Sequence, residues 1–445
     1  MRRNFIFAGI MVALFATTPA FSMVLPQDCS GVNAQSAECV SMLTMASYVE
    51  QAKAQAANSD FEAAMKTMGK AIKIAKNFPA EIYVEYVIDQ AEYAESWARD
   101  YRGVKGLEQA LAILQRAIPY LGQVDSVSTK SRYYNRISGL YIELANTNKD
   151  PTYSEAALET FQHIIEIIDK ETDPGYWASI HYNLGVAYVT HFEHTKEVGN
   201  LILGKNALLE AQKYFDKKTM LKDWAKVVSA LADNDVHAAK AFNRPDLQQK
   251  AMNSYVEIAK SLKGTPYKEE LANAYHNGAL LSEERGRDTE NLKDLKLAYI
   301  YFGKAADIYY DQRNYFAWVR ANSNQAWAQY YLAKLTDKPE DFEGAVDIVE
   351  YILENFPQHK SPVRWAEIVK QLADCKYALA LNKSDTSLLG EAMQSYRVSM
   401  KIFEEEGRMK QHDEASQQAT NIMMLLLSIE GGEKSEEPPK EDSGV

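Results

Sequence analysis

Apolar positions recur at helical spacing along most of the chain. Residues 313–357 show the pattern. Tyr315, Trp318, Val319, Ala326 and Tyr330 share one helical face, and a polar break, Thr336-Asp-Lys-Pro-Glu340, follows. Phe342, Ala345, Val346, Val349, Ile352 and Leu353 then recur at i, i+3, i+4 and i+7. The Pro and acidic residues of 337–340 suit a helix start. Asn355-Phe-Pro357 stops the second helix, because proline cannot continue the hydrogen-bond ladder. No period alternates strictly between apolar and polar, so no sheet is expected.

The pattern repeats. A small residue, a bulky one four later and a smaller or aliphatic one three further on read Ala64/Met68/Ala71, Ala110/Leu114/Ala117, Ala157/Phe161/Ile164 and Gly204/Leu208/Ala211. They continue as Ala251/Tyr255/Ile258, Ala298/Phe302/Ala305, Ala345/Val349/Ile352 and Ala392/Tyr396/Ser399, with a first step of 46 residues and 47 thereafter. Trp177, Trp224, Leu271, Trp318 and Trp365 keep the same step, as do the small residues Ala91, Ser138, Gly185, Ala232, Ala279, Ala326 and Ala373. A fixed period of this length marks a solenoid. Small residues let two helices approach to roughly 8–10 Å between axes. No single pair buries its apolar face alone, so neighbours must stack.

The expected fold is all-α: a right-handed α-solenoid of about eight helix pairs, near 38–78, 79–122, 126–171, 174–219, 221–264, 267–311, 314–357 and 361–406. A capping helix near 410–429 completes the span 38–429, its stripe being Ile422, Met423, Leu425 and Leu426.

A small residue followed on the next helix by Ala-x3-aromatic-x2-Ala is similar to the tetratricopeptide repeat (TPR), whose ordinary period is about 34 residues. Pro174-Gly-Tyr-Trp-Ala178 with Asn183-Leu184-Gly185, echoed by Pro362-Val-Arg-Trp-Ala366 with Gln371-Leu372-Ala373, resembles a long-period bacterial variant. The resemblance covers about residues 38–405 and weakens in the first three repeats, where Tyr83 and Lys130 replace the tryptophan. Gly185 to Gly204 is 19 residues. The extra length, about 7 residues over an ordinary TPR, is expected in the link between the helices.

The two ends read differently. Met1-Arg2-Arg3-Asn4, an uncharged apolar run from Phe5 to Ala20 and a small-residue site before Met23 have the order of a secretory signal peptide, 1–22. Leu25-Pro26-Gln27-Asp28 lacks the small residues that lipid attachment at Cys29 needs. The segment 23–37 leads to Cys39, and export would let Cys29 and Cys39 form a disulfide. Residues 430–445 are acidic, rich in Pro and Gly, and expected to be disordered. The location implied is periplasmic or secreted, with no membrane insertion after cleavage. The formal charge is −12, and it falls to −14 without Arg2 and Arg3. That charge argues against nucleic-acid and membrane-surface partners, although a basic patch can hide locally.

If the TPR resemblance holds, residues two before the small position line an inner groove: Asp89, Arg136, Asn183, Ala230, Asn277, Asn324 and Gln371. Amides offer both donor and acceptor, so a ladder of them can read a peptide backbone; the alternative is that they bond within the array. The same register adds Asn273, His276, Arg320, Trp327, Tyr330 and Tyr331, aromatic and Arg residues of the kind that anchor partners. The conserved-step tryptophans and Cys375 are expected to be core. No catalytic motif stands out and no cofactor or metal is implied; His191-Phe-Glu-His194 lies in an expected link and lacks zinc-site spacing. The leading function is a scaffold for a protein or peptide in envelope assembly or trafficking. With 27 tyrosines a glycan-binding module is the runner-up, and an enzyme accessory subunit the third. Oligomeric state is open.

Overall fold

Polar breaks carrying Asp, Asn, Ser or Pro start the helices. The Asp60 carboxylate accepts from Ala63 N, Asp150 from Thr152 N, Asp173 from Tyr176 N and Asn314 from Ala317 N. Such caps satisfy donors that a helix start leaves without partners. Pro151, Pro174, Pro245, Pro339 and Pro362 occupy first-turn positions, where their missing N–H costs nothing.

A computed structural model describes residues 36–98 and 103–433. Among them there is no strand. The chain is a succession of helix pairs: α1 (Ala37–Ala57) with α2 (Phe61–Ala75), α3 (Ala80–Trp97) with α4 (Val104–Gln115), and α5 (Val127–Asn148) with α6 (Pro151–Ile167). Next come α7 (Pro174–Thr195) with α8 (Gly199–Gln212), and α9 (Leu221–Ala241) with α10 (Pro245–Leu262). Then follow α11 (Lys268–Asp288) with α12 (Leu292–Asp311), α13 (Tyr315–Thr336) with α14 (Pro339–Asn355), and α15 (Pro362–Lys383) with α16 (Thr386–Glu405). The last helix, α17 (Met409–Glu433), packs on α16. The fold is therefore all-α and TPR-like. The chain divides into two compact units, residues 1–278 and 279–445, with the boundary inside α11.

The repeat traces are the core. The bulky set Met68, Leu114, Phe161, Leu208, Tyr255, Phe302, Val349 and Tyr396 is at most 1% exposed. The small partners show why they are small. A Cβ on Gly185 would stand 2.5 Å from Leu208 Cγ and 3.0 Å from the Gly204 carbonyl oxygen. Within the first unit the first helices stand side by side, α3 on α5, α5 on α7 and α7 on α9. In the second, α13 meets α15.

The extra length of the repeat lies elsewhere than expected. The α7–α8 link is only residues 196–198, and α7 itself runs 22 residues. About seven more residues add about two turns to a helix. His191-Phe-Glu-His194 is consequently in the last turns of α7, not in a link. The turns are tight because a non-glycine residue in the left-handed region ends each long first helix: Lys149, Lys196, Asn243, Glu290, Asp337 and Ser384, with φ between 52° and 63°.

Three sequence expectations fall outside the described residues: the signal peptide 1–22, most of the segment 23–37 including Cys29, and residues 434–445 of the tail. The Cys29–Cys39 pairing is thus outside them as well. Residues 430–433, assigned to the tail on sequence, belong to α17. Cys39 is buried in the first turn of α1, and Cys375 is a buried cysteine on α15 that forms no disulfide.

Candidate functional site

The amide register turns inward, toward the neighbouring repeat. Asn183 is fully buried and its Nδ2 donates to Asn135 Oδ1 of the preceding first helix at 2.7 Å. Asn277 is 2% exposed and its Nδ2 donates to Asp233 Oδ1 at 3.1 Å. The buried Gln371 donates from Nε2 to the Ser323 carbonyl at 2.7 Å. Arg136 occupies the same register and pairs with Glu95, at 2.9 Å, and with Glu92 of α3. Four members of the register therefore reach back one repeat. A buried amide must find partners or bear its desolvation cost; here the donor groups find theirs in the array, whereas the buried Oδ1 atoms of Asn183 and Asn277 have no hydrogen-bond partner among the described residues. These amides are not displayed to a ligand. Asn324 in the same register is half-buried. His276 is completely buried, so it too leaves the expected surface, whereas Asn273 is half-buried.

Around this register the first unit holds a dense polar interior. Arg132 reaches Glu85 and, at 3.7 Å, Asp89. Burial pushes the Asp89 carboxyl up to about 7, with Glu92 adding to the rise and Lys53 and Arg136 opposing it. Asp233 is 1% exposed and accepts from the Tyr255 hydroxyl and from Asn277. Burial pushes its carboxyl up to about 7 as well, against those two hydrogen bonds. The second unit holds a matching pair, in which the Tyr396 hydroxyl donates to Asp374 Oδ1 at 2.6 Å. The tyrosine–aspartate pairing was missed on sequence, although its signal is there. Tyrosine takes the bulky position only at 255 and 396, and aspartate follows the small position only at 233 and 374.

The second unit brings three of the expected aromatic residues together on α13. Trp327 lies 5.1 Å from Tyr330 and 6.1 Å from Tyr331 between ring centroids, and Tyr330 lies 5.6 Å from Tyr331. All three rings are half-buried. The Arg287 guanidinium sits over Tyr331 at 5.4 Å, and the Lys334 ammonium over Tyr330 at 5.9 Å. Burial pushes the Tyr330 hydroxyl up to about 12. Arg320, on the same helix, is half-buried; desolvation lowers its pKa and the neighbouring Arg364 adds to that. The expected set of ten residues is thus split between the units. Trp327, Tyr330, Tyr331 and Arg320 share α13 with Asn324 and Gln371 follows on α15 of the same unit, while Asn183, Asn273, His276 and Asn277 belong to the first unit.

His191 and Glu193 are engaged separately: His191 Nδ1 lies 3.0 Å from Ser154 Oγ, and Glu193 lies 2.9 Å from His237 Nε2. Among the described residues no group of three or more His, Cys, Asp or Glu side chains is placed to hold a metal ion. No described helix is long and apolar enough to cross a membrane.

No family model matches the chain, and no curated protein matches it. Its fold is similar to a Rap protein complexed with competence and sporulation factor, at 12% identity over 86% of this chain and 99% of that one, with a TM-score of 0.45. The apo form of RapI gives 13% identity over 86% and 98%, with a TM-score of 0.44. Yeast Tom70 gives 11% identity over 86% and 96%, with a TM-score of 0.26. At these scores the fold rests on the chain's own helix packing.

Proposed function

We propose that the chain is a non-enzymatic scaffold that binds a protein or an extended peptide, and that it does so after export to the periplasm or beyond. The observation that carries the reading is the half-buried Trp327/Tyr330/Tyr331 cluster with Arg287 above it. Rigid aromatic faces beside a cation give large contact area at low entropic cost, which is the chemistry of binding anchors. The long-period TPR variant is the repeat type we assign. Export is supported by the order of residues 1–22.

The test is cross-linked capture from an envelope fraction, with the full chain as bait. The pair Trp327→Ala/Tyr331→Ala is expected to lose the captured proteins. Arg287→Glu, which removes no core volume, is expected to weaken capture by about tenfold, roughly 1.4 kcal/mol. Capture unchanged in both variants would sink the reading, and glycans retained by the parent in place of proteins would favour sugar stacking on the same rings. Mass analysis of the exported protein is expected to place its first residue at Met23; a chain still beginning at Met1 removes the export half of the proposal.

A further inference from the structure

The local basic patch that an acidic net charge can conceal is present in the first unit. Lys66, Lys70 and Lys73 lie four and three residues apart on α2, and Lys76 follows three later. At 3.6 residues per turn these positions share a face, and ten residues of helix rise about 15 Å. All four side chains are exposed, as is Arg116 just beyond α4. The five cations line a cleft of about 570 Å³, and no carboxylate lines it. In a chain of net charge −12 that is a segregation of charge.

The cations are largely uncommitted. Lys66 pairs with Glu62 at 3.0 Å, and Lys70 lies over the Tyr48 ring at 5.4 Å. Lys73, Lys76 and Arg116 have no carboxylate within ion-pair distance among the described residues. Gln90 of α3 also lines the cleft, although it is only 7% exposed. Its Nε2 donates to the Met65 carbonyl at 2.8 Å, and its buried Oε1 has no hydrogen-bond partner among the described residues. A Cβ on Gly69 would stand 3.2 Å from that amide, so the glycine keeps the floor of the cleft open.

We infer that this cleft is a docking site for an extended acidic peptide segment. The ligand must bring several anions along about 15 Å, together with a donor for the amide. A peptide of Glu and Asp supplies both, because its backbone N–H groups alternate with its carboxylates; a DNA backbone supplies anions without donors. Charge separates the candidates further. A short segment senses only what lies within a screening length of about 8 Å, and so meets the stripe alone. A long polyanion or an anionic bilayer meets the whole negative chain and is repelled.

The probe is a fluorescein-labelled oligoglutamate of about eight residues, long enough at about 3.3 Å per residue to overspan the stripe. Its anisotropy is measured with the full chain. The parent is expected to bind it, more weakly as salt rises. Lys73→Glu/Lys76→Glu/Arg116→Glu is expected to bind at least about tenfold more weakly, with its helical circular dichroism retained. A control with two exposed lysines of α12 reversed, Lys293→Glu/Lys296→Glu, is expected to match the parent. Single-stranded DNA of equal charge and phosphatidylserine vesicles are expected to bind at least about tenfold more weakly than the peptide. No binding by the parent, equal loss in the two charge variants, or tighter binding of DNA or vesicles would overturn the assignment. The Trp327→Ala/Tyr331→Ala chain is expected to keep the peptide, so failure here is distinct from failure of the protein-capture reading.

Discussion

At the scale of the residue, the polar side chains of the first helices hold one repeat to the next. Asn183 with Asn135, Asn277 with Asp233, and Gln371 with the Ser323 carbonyl are the same device at three places. Asp233 makes it sensitive to pH. Its carboxyl is about 7 in the folded chain, raised by burial, against about 3.9 when unfolded. Between those values the folded chain keeps a proton that the unfolded chain has lost, so this contribution to stability falls as pH rises through the window. Asp89, raised to about 7, acts in the same direction. Asp233→Asn removes one of the two. Its unfolding free energy is expected to equal the parent's near pH 4 and to exceed it above pH 7, by about 1–3 kcal/mol; parallel pH profiles would refute the assignment. The position of the amides was legible in the sequence, but their direction was not. One helical residue turns a side chain by about 100°, enough to move it from a groove to the neighbouring helix. The clue available was an oxygen acceptor on the preceding first helix, at Asn135 and Asp233, 48 and 44 residues earlier, which the register alone did not weigh.

At the scale of the element, the sequence declared each helix through its caps and apolar spacing. It misplaced the added length because a turn of two or three residues does not announce itself without glycine. Lys196 closes α7 at φ 63°, and a non-glycine residue does the same after α5, α9, α11, α13 and α15. For an L-residue that region costs about 1–2 kcal/mol, whereas glycine adopts it freely but loses more entropy on folding. Glu290→Gly and Ser384→Gly are each expected to raise stability by about 0.5–1 kcal/mol, read from urea midpoints at unchanged slope. A loss of similar size in both would show that the turns are not held as described. The tyrosine at 255 and at 396 belongs to the same lesson. A bulky position was visible as core, while its hydroxyl needs a buried acceptor, and the aspartate at 233 or 374 supplies it.

At the scale of the whole chain, the fold follows from repetition: the bulky residues that recur along the second helices, from Met68 to Tyr396, are buried to 1% or less. The site was less legible, because repetition reports what every repeat shares and a binding surface is what one repeat does differently. Trp327, Tyr330 and Tyr331 were visible as aromatic residues in the register expected to face a groove. The Lys66–Lys76 stripe is spaced within one helix, but the net charge of the chain masked it, and only the general chance of a local basic patch was expected. The amides thus serve cohesion between repeats, and the α13 aromatics are the proposed capture surface. The most direct measurement compares Asn183→Ala/Asn277→Ala with Trp327→Ala/Tyr331→Ala for both thermal unfolding and partner capture. The asparagine pair is expected to lose about 1–3 kcal/mol per site while still capturing partners below its melting temperature. The aromatic pair is expected to lose capture while still melting cooperatively. Loss of capture in the asparagine pair with its stability intact would contradict the account and return the amides to the binding surface.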